Sequence, residues 1–263
     1  MPTFDPNQTT RFGVSPAARA QAGVIDAGLR AYMLKVYNYM AIGLVITGLA
    51  ALGAFAASVT DPGSAGAVAQ VNSTMALTQF GYALFVSPLK WVIILAPLAM
   101  VFLVFPRLGS LSVSSAQIAF WIFAALMGLS LSSIFLVYTQ ASIARVFFIT
   151  AASFGALSLY GYTTSRSLSG MGSFLFMGLI GIIIASLVNL FLQSSALQFA
   201  VSVIGVLVFA GLTAYDTQQI KEMYFAGDDG ATVGRKAILG ALRLYLDFIN
   251  LFTMLLQLFG NRN

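Results

Sequence analysis

Three ionisable residues stand where ionisable residues are costly. Asp216, Arg243 and Asp247 fall in or at the edge of long apolar stretches. Insertion scales put such residues at about +2.5 to +3.5 kcal/mol each at the centre of a membrane helix, so an ion found there needs a partner or a task. Arg243, Asp247, Asn250 and Gln257 recur at helical spacing. At about 100° per residue they lie within an arc of about 80°, with Leu, Phe, Ile and Met on the remaining face. A polar stripe of this kind cannot be shown to lipid, so the helix carrying it is predicted to lie inside a bundle. Asp216 closes the preceding apolar stretch, in Thr213-Ala-Tyr-Asp216-Thr-Gln-Gln-Ile220, and the midpoint between Asp216 and Asp247 falls in the glycine-bearing loop 227–234. Two antiparallel helices rise equally from such a loop, which puts the two carboxylates at similar depth.

Carboxylates within hydrogen-bonding reach seldom both ionise, and the pair titrates as a unit. At ~4 Å and an effective dielectric near 20 their repulsion is about 4 kcal/mol. A dyad of this type holds one proton, releases it as the pH rises and then attracts a cation. The chain has no His and no Cys, so its ligands are oxygens, which suit a hard ion such as Ca²⁺ better than a transition metal. Asp216 and Asp247 are the candidate Ca²⁺ ligands, and no resident cofactor is expected. A plainer reading stays open at this point. Arg243 and Asp247, spaced i, i+4, would neutralise each other along the helix, while Asp216 would lie at the headgroup boundary, capping a helix or paired with Lys221.

The elements that position these residues follow from composition. Of 263 residues, 59% are apolar and 8% charged, against about 45–50% and 25% in an ordinary globular domain. So few charges cannot solvate a soluble globule of this size. The net charge of +5 comes from dispersed basic residues, which argues against a nucleic-acid partner. The missing Cys and His exclude disulfide frameworks, thiol nucleophiles, Ser-His-Asp triads and HExxH metal sites. Twelve of the 21 charges cluster in residues 1–35 and 221–236. Outside these clusters run seven apolar stretches: Val36–Val59, Pro88–Phe105, Ser114–Tyr138, Ile143–Tyr162, Phe174–Leu192, Ala196–Tyr215 and Ala237–Phe259. Each approaches the ~20 residues that cross a bilayer, the second being short and containing Pro97. Continuous apolar runs, without alternation, predict helices rather than a barrel.

The expected organisation is therefore a cytoplasmic tail, 1–35, and a single transmembrane domain, 36–260. The first stretch is too long, with too long a preamble, for a cleavable signal. Residues Ala17–Lys35 read equally as a short surface helix or a solvated tail. Nine loop basic residues fall on the N-terminal side and three (Lys90, Arg145, Arg262) on the other, which puts the N-terminus inside and, after seven spans, the C-terminus outside. Residues 60–87 form the longest outer loop, with a turn signal at Asp61-Pro62-Gly63. The aromatic residues are expected chiefly to face lipid and the interfaces, and the scattered glycines to serve close helix packing.

The motifs Ala214-Tyr-Asp216-Thr-Gln-Gln-Ile220-Lys221 and Leu244-Tyr-Leu-Asp247-Phe-Ile-Asn-Leu-Phe252 carry a resemblance. Over roughly residues 25 to 260 the chain resembles a bacterial member of the Bax-inhibitor family, the transmembrane Bax-inhibitor-motif proteins. The resemblance implies an all-α membrane protein of seven transmembrane helices, six surrounding a central C-terminal helix. It also implies pH-sensitive passage of Ca²⁺ down its gradient, with Asp216 and Asp247 as the proton sensor and ion gate. A basic latch at the end of the second span would be Arg107, in Val104-Phe-Pro-Arg107. Arg243 and Asn250 would be the supporting polar face. Arg243 has no counterpart role in that scheme, and the second span has no acidic residue.

Three functions compete on these residues. The first is the proton-gated leak, whose partners are the lipid bilayer, Ca²⁺ and protons. The second, also implied by resemblance, is an interaction protein that modulates other membrane proteins such as a quality-control protease, docking through 221–236 and the N-terminal tail. The third is an intramembrane enzyme, since a carboxyl pair can activate water. Neither aspartate motif has Gly-x-Gly-Asp surroundings, and no enzymatic activity is expected. A bacterial inner membrane is the expected location.

Overall fold

The structure, a computed structural model, describes residues 16–262, with side chains from residue 27 on. The part of the expected tail before residue 16 lies outside the described residues. Helix α1 (Pro16–Ser58) leads into three short strands, β1 (Val59–Thr60), β2 (Ala69–Asn72) and β3 (Met75–Leu77), which form an antiparallel sheet in the order β1-β3-β2. Then come α2 (Gln79–Phe85), α3 (Leu89–Leu103), a 3-10 turn at Phe105–Ser110, α4 (Val113–Leu131) and α5 (Ile134–Val137). Four long helices complete the chain: α6 (Gln140–Thr163), α7 (Ser169–Leu192), α8 (Ser195–Glu222) and α9 (Gly230–Phe259). Among the described residues six helical spans are long and apolar enough to cross a membrane, with α4 and α5 counted as one, and up to seven if the bent pair α2–α3 is another. The fold is that of an all-α membrane protein, apart from the small sheet.

Each apolar run closes its own backbone hydrogen bonds as a helix because hydrocarbon offers no water to satisfy them. The starts are set by polar caps. Ser112, Thr139, Ser194 and Asp229 each accept a hydrogen bond from the backbone amide three residues on, at 3.1, 3.3, 3.3 and 2.6 Å. Helices α7, α8 and α9 extend five to seven residues past one expected end each, at Ser169, Glu222 and Gly230, and the first part of the chain departs further. No break separates a tail or surface helix from the first span: α1 is continuous from Pro16, and Tyr32, Met33 and Val36 are buried in the bundle. The second span is not one straight helix. α3 is 15 residues long, about 22 Å, and α2 precedes it at 56° across Val86–Pro88. Pro88 supplies no amide and disfavours helix at Ser87, so the chain turns there. The expected loop 60–87 thus holds a sheet and a helix. Gly81 lets α2 press against the Ser58 carbonyl at the end of α1, where a Cβ would collide.

Burial is uneven. Of the membrane-length window of α9, 67% is buried, against 11% for α7. Helix α9 packs on α1, α4, α6 and α8, while α7 leans on α8 and α3 on α4. Small residues permit the close approaches: at Gly161 of α6 a Cβ would strike the Ala214 carbonyl of α8, and at Gly240 of α9 it would lie 2.9 Å from Ile220 Cγ2. The expectation that the aromatics chiefly face lipid holds for Phe174, Phe191 and Trp91, which are exposed, but not for the core. Phe120 and Phe123 of α4 stack edge-on to Tyr245 of α9, each at 5.7 Å, and Phe154 meets Phe248 at 5.5 Å. These rings fill the wide gaps between helices.

Candidate functional site

The register between α8 and α9 decides where the carboxyl groups fall. Ile220 lies against Gly240, and Lys236 Nζ donates to the Met223 carbonyl at 2.9 Å. Moving back along α8 and forward along α9 from these contacts brings residue 216 level with residues 243 and 244, and Asp247 follows one turn further along the same face of α9. The structure brings the two side chains close enough to act directly on each other. Asp247 is 5% exposed, and its Oδ2 atom is buried with no donor facing it. Asp216 is half-buried. Helix α8 continues to Glu222, so Asp216 lies well inside the helix, about 9 Å from its end. It caps nothing.

The plainer pairing is not realised. Arg243 is near enough to act electrostatically on both carboxyl groups, yet it forms no ion pair with either. Among the described residues the one ion pair joins Lys236 to Asp228. Lys221 is turned away from Asp216: its Nζ donates to the Tyr162 carbonyl at 2.9 Å and lies 5.4 Å from the Tyr162 ring centre.

Asp216, Arg243, Asp247 and Asn250 all reach one cavity of about 1030 Å³. Its polar wall is α8 and α9, and its apolar walls come from α3, α4 and α7. Lining residues such as Leu98 and Phe176 are exposed, so the cavity opens between α3 and α7. The sequence carried no sign of that opening, because it is made by two helices standing apart rather than by any residue type. Asn250 Nδ2 donates to the Leu246 carbonyl at 2.8 Å, which leaves its position on the cavity wall fixed by its own helix.

Two expected members are placed elsewhere. Gln257, on the same stripe, accepts from Gln198 Nε2 at 2.6 Å and Ser202 Oγ at 2.8 Å, and Asn189 Nδ2 donates to Gln198 Oε1 at 3.0 Å. This network ties α7, α8 and α9 together beyond the cavity. Arg107 is exposed on the 3-10 turn and donates to the Leu103 carbonyl at 2.7 Å; it is not brought to the carboxyl pair.

The rest of the 214–221 motif is structural. Gln218 accepts from Leu168 N at 2.7 Å and donates to the Arg166 carbonyl at 2.9 Å, clamping the α6–α7 turn. Thr217 joins a chain in which Tyr37, Ser158 and Thr217 hydroxyls meet at 2.7 and 2.9 Å, linking α1, α6 and α8. Thr47 of α1 bonds the Tyr245 hydroxyl at 2.6 Å and the Ala124 carbonyl of α4 at 2.9 Å. Sequence reasoning missed these neutral residues, since single Ser, Thr and Tyr residues in apolar runs carry no charge signal. The charges of 221–236 are largely used within the fold. Lys236 bonds Asp228, Arg235 reaches the Thr232 hydroxyl, and Asp229 caps α9. The Thr232 amide and hydroxyl hold the Asp229 carboxyl below the ordinary carboxylate range.

Over residues 29–263 the chain matches the protein family described as "Inhibitor of apoptosis-promoting Bax1". It is 48% identical over 238 residues to the inner membrane protein YbhL of Escherichia coli (strain K12), a match that covers 90% of this chain and 94% of that one. An uncharacterised protein of Rickettsia prowazekii (strain Madrid E) is 52% identical over 239 residues, covering 90% and 92%. One from Caulobacter vibrioides is 45% identical over 246 residues, covering 93% and 94%.

Proposed function

We propose, from the premise that this chain belongs to the Bax-inhibitor family and is an integral membrane protein, that it is a pH-sensitive leak for cations, chiefly Ca²⁺, gated by Asp216 and Asp247. The proposal includes seven crossings in a bacterial inner membrane, the pair α2–α3 being one of them, with α9 as the central helix. The N-terminus is then cytoplasmic and the C-terminus periplasmic.

The observation that carries the proposal is the contact between two carboxyl groups on the wall of a cavity at membrane depth. Two bare carboxylates this close would repel, so in this reading the closed state keeps one proton shared by the pair. In that state the pair carries one negative charge and Arg243 one positive charge, and the site is neutral overall. When the proton leaves, two carboxylates at ~4 Å repel by about 4 kcal/mol at an effective dielectric near 20. That repulsion falls on the α8–α9 contact, because each helix carries one of the pair. As α9 shifts, the wall from Asn250 to Asp247 is opened to a cation.

Ca²⁺ enters this scheme as cargo. It takes about six to eight oxygen ligands, and no group of three or more acidic residues is assembled among the described residues. Two carboxylates and water would hold the ion briefly and let it pass. Arg107, exposed and bonded to the Leu103 carbonyl of its own segment, is the candidate latch of the closed state.

The test is Ca²⁺ entry into proteoliposomes across a range of pH. Asp216→Asn and Asp247→Asn should each abolish the pH dependence of the flux. An unchanged flux and pH profile in both variants would reject the proposal.

A further inference from the structure

A second cavity lies apart from the carboxyl pair. It is a groove of about 580 Å³ between α1 and α6, lined chiefly by apolar atoms. Met33, Leu34, Phe154 and Leu159 form its sides. Gly155 faces it, and a Cβ there would meet nothing within 4 Å, so the groove is held open by the absence of a side chain. Its depth is marked by the Tyr37–Ser158 hydrogen bond, 2.7 Å long.

One end of the groove is basic. Arg30 and Tyr162 both line it, and Lys221 sits 5.4 Å from the Tyr162 ring, behind that end. Arg30 is exposed and faces no carboxylate among the described residues. Glu222, next to Lys221, accepts a hydrogen bond from Gln219 Nε2 at 3.1 Å. This is the end of the bundle where α6 and α8 stop and the loops begin, which is headgroup level. The other end runs toward Phe154, in the interior of the membrane span.

We infer that this groove is a binding site for one anionic phospholipid, with an acyl chain along Leu34, Gly155 and Phe154 and the phosphate on Arg30, with Lys221 behind it. The shape favours a chain over a bulky head. The exposed guanidinium at the rim selects an anion, and a basic residue near a membrane surface favours an anionic lipid by about fivefold. The site is independent of the leak. It does touch the same helix, because Ser158 at the base of the groove bonds Thr217 at 2.9 Å, one residue from Asp216.

Native mass spectrometry of the full chain, released from nanodiscs of phosphatidylglycerol mixed equally with phosphatidylcholine, tests the assignment. Wild type should retain one phosphatidylglycerol, preferred over phosphatidylcholine by about fivefold or more. Arg30→Gln should lose the preference, and Gly155→Leu, whose side chain fills the groove, should retain neither lipid. Equal retention of the two lipids by wild type, unchanged phosphatidylglycerol retention in either variant, or a second protein copy in place of the lipid would each overturn it.

Discussion

Arg243 and Asp247 stand one turn apart on α9, share a cavity with Asp216, and do not form an ion pair. Asp247 instead meets Asp216 across the α8–α9 contact. The cation is thus a neighbour of the carboxyl pair rather than its partner, and this separates two roles that spacing along one helix would have merged.

Arg243→Gln should raise cation flux through the proposed pathway while keeping its pH dependence. A guanidinium at roughly 6–8 Å repels a unit positive charge by about 2–3 kcal/mol at an effective dielectric of 20. An increase of at least tenfold is expected for Ca²⁺ in proteoliposomes, with Arg243→Lys close to wild type. Equal flux in wild type and Arg243→Gln would show that the residue lies off the ion's path.

The pH response should come from the pair alone. As the pH rises, the shared proton leaves and flux rises; in Asp247→Asn there is no second carboxyl to share a proton with, so the curve should flatten. Initial Ca²⁺ entry measured between pH 5 and 8 would check this, and a full-amplitude pH curve in Asp247→Asn would contradict it.

The helix contacts themselves can be tested by size. Gly161→Val should drive a side chain into the Ala214 carbonyl and separate α6 from α8, a change expected to cost about 1–3 kcal/mol. Thermal unfolding in detergent should show the loss, whereas Gly155→Val, at a position with open space, should leave the melting temperature nearly unchanged.

The Thr47–Tyr245 bond should show the asymmetry of buried polar pairs. Tyr245→Phe removes one hydrogen bond and should cost about 1 kcal/mol. Thr47→Val leaves the Tyr245 hydroxyl buried without that partner and should cost about 1–3 kcal/mol. Unfolding midpoints of the two single variants and the double variant would separate the two costs.

At the start of α9, Asp229→Ala should lower stability at neutral pH by removing the cap on Thr232. The folded state holds this carboxyl below its ordinary range, so the stabilisation is present above the unfolded value near 4 and is lost as the pH falls through the folded one. Wild type and Asp229→Ala should therefore converge in acid, as read by melting temperature against pH.

Much of this architecture was legible in residue order. Six of the seven apolar stretches became helical spans within a few residues at most ends, because a membrane helix needs only length and hydropathy to be recognised. The second did not fit one straight helix, since the break at Ser87-Pro88 and the return of α2 onto Ser58 depend on a contact made in space. The polar face of α9 was legible from its period, and so, to within about one turn, was the depth of Asp216 and Asp247, because two helices leaving one short turn climb together.

Sequence by itself determined that this chain lives in a membrane, which residues carry charge there, and which family it belongs to. Only the tertiary structure decided which charges meet. The i, i+4 spacing of Arg243 and Asp247 permits an ion pair, but the rotation of α9 against α8 turns Asp247 to Asp216 and leaves Arg243 at the cavity. Local spacing limits which partners are possible. The packing of Ile220 on Gly240 sets the register of the two helices, and that register brings both Arg243 and Asp247 within reach of Asp216.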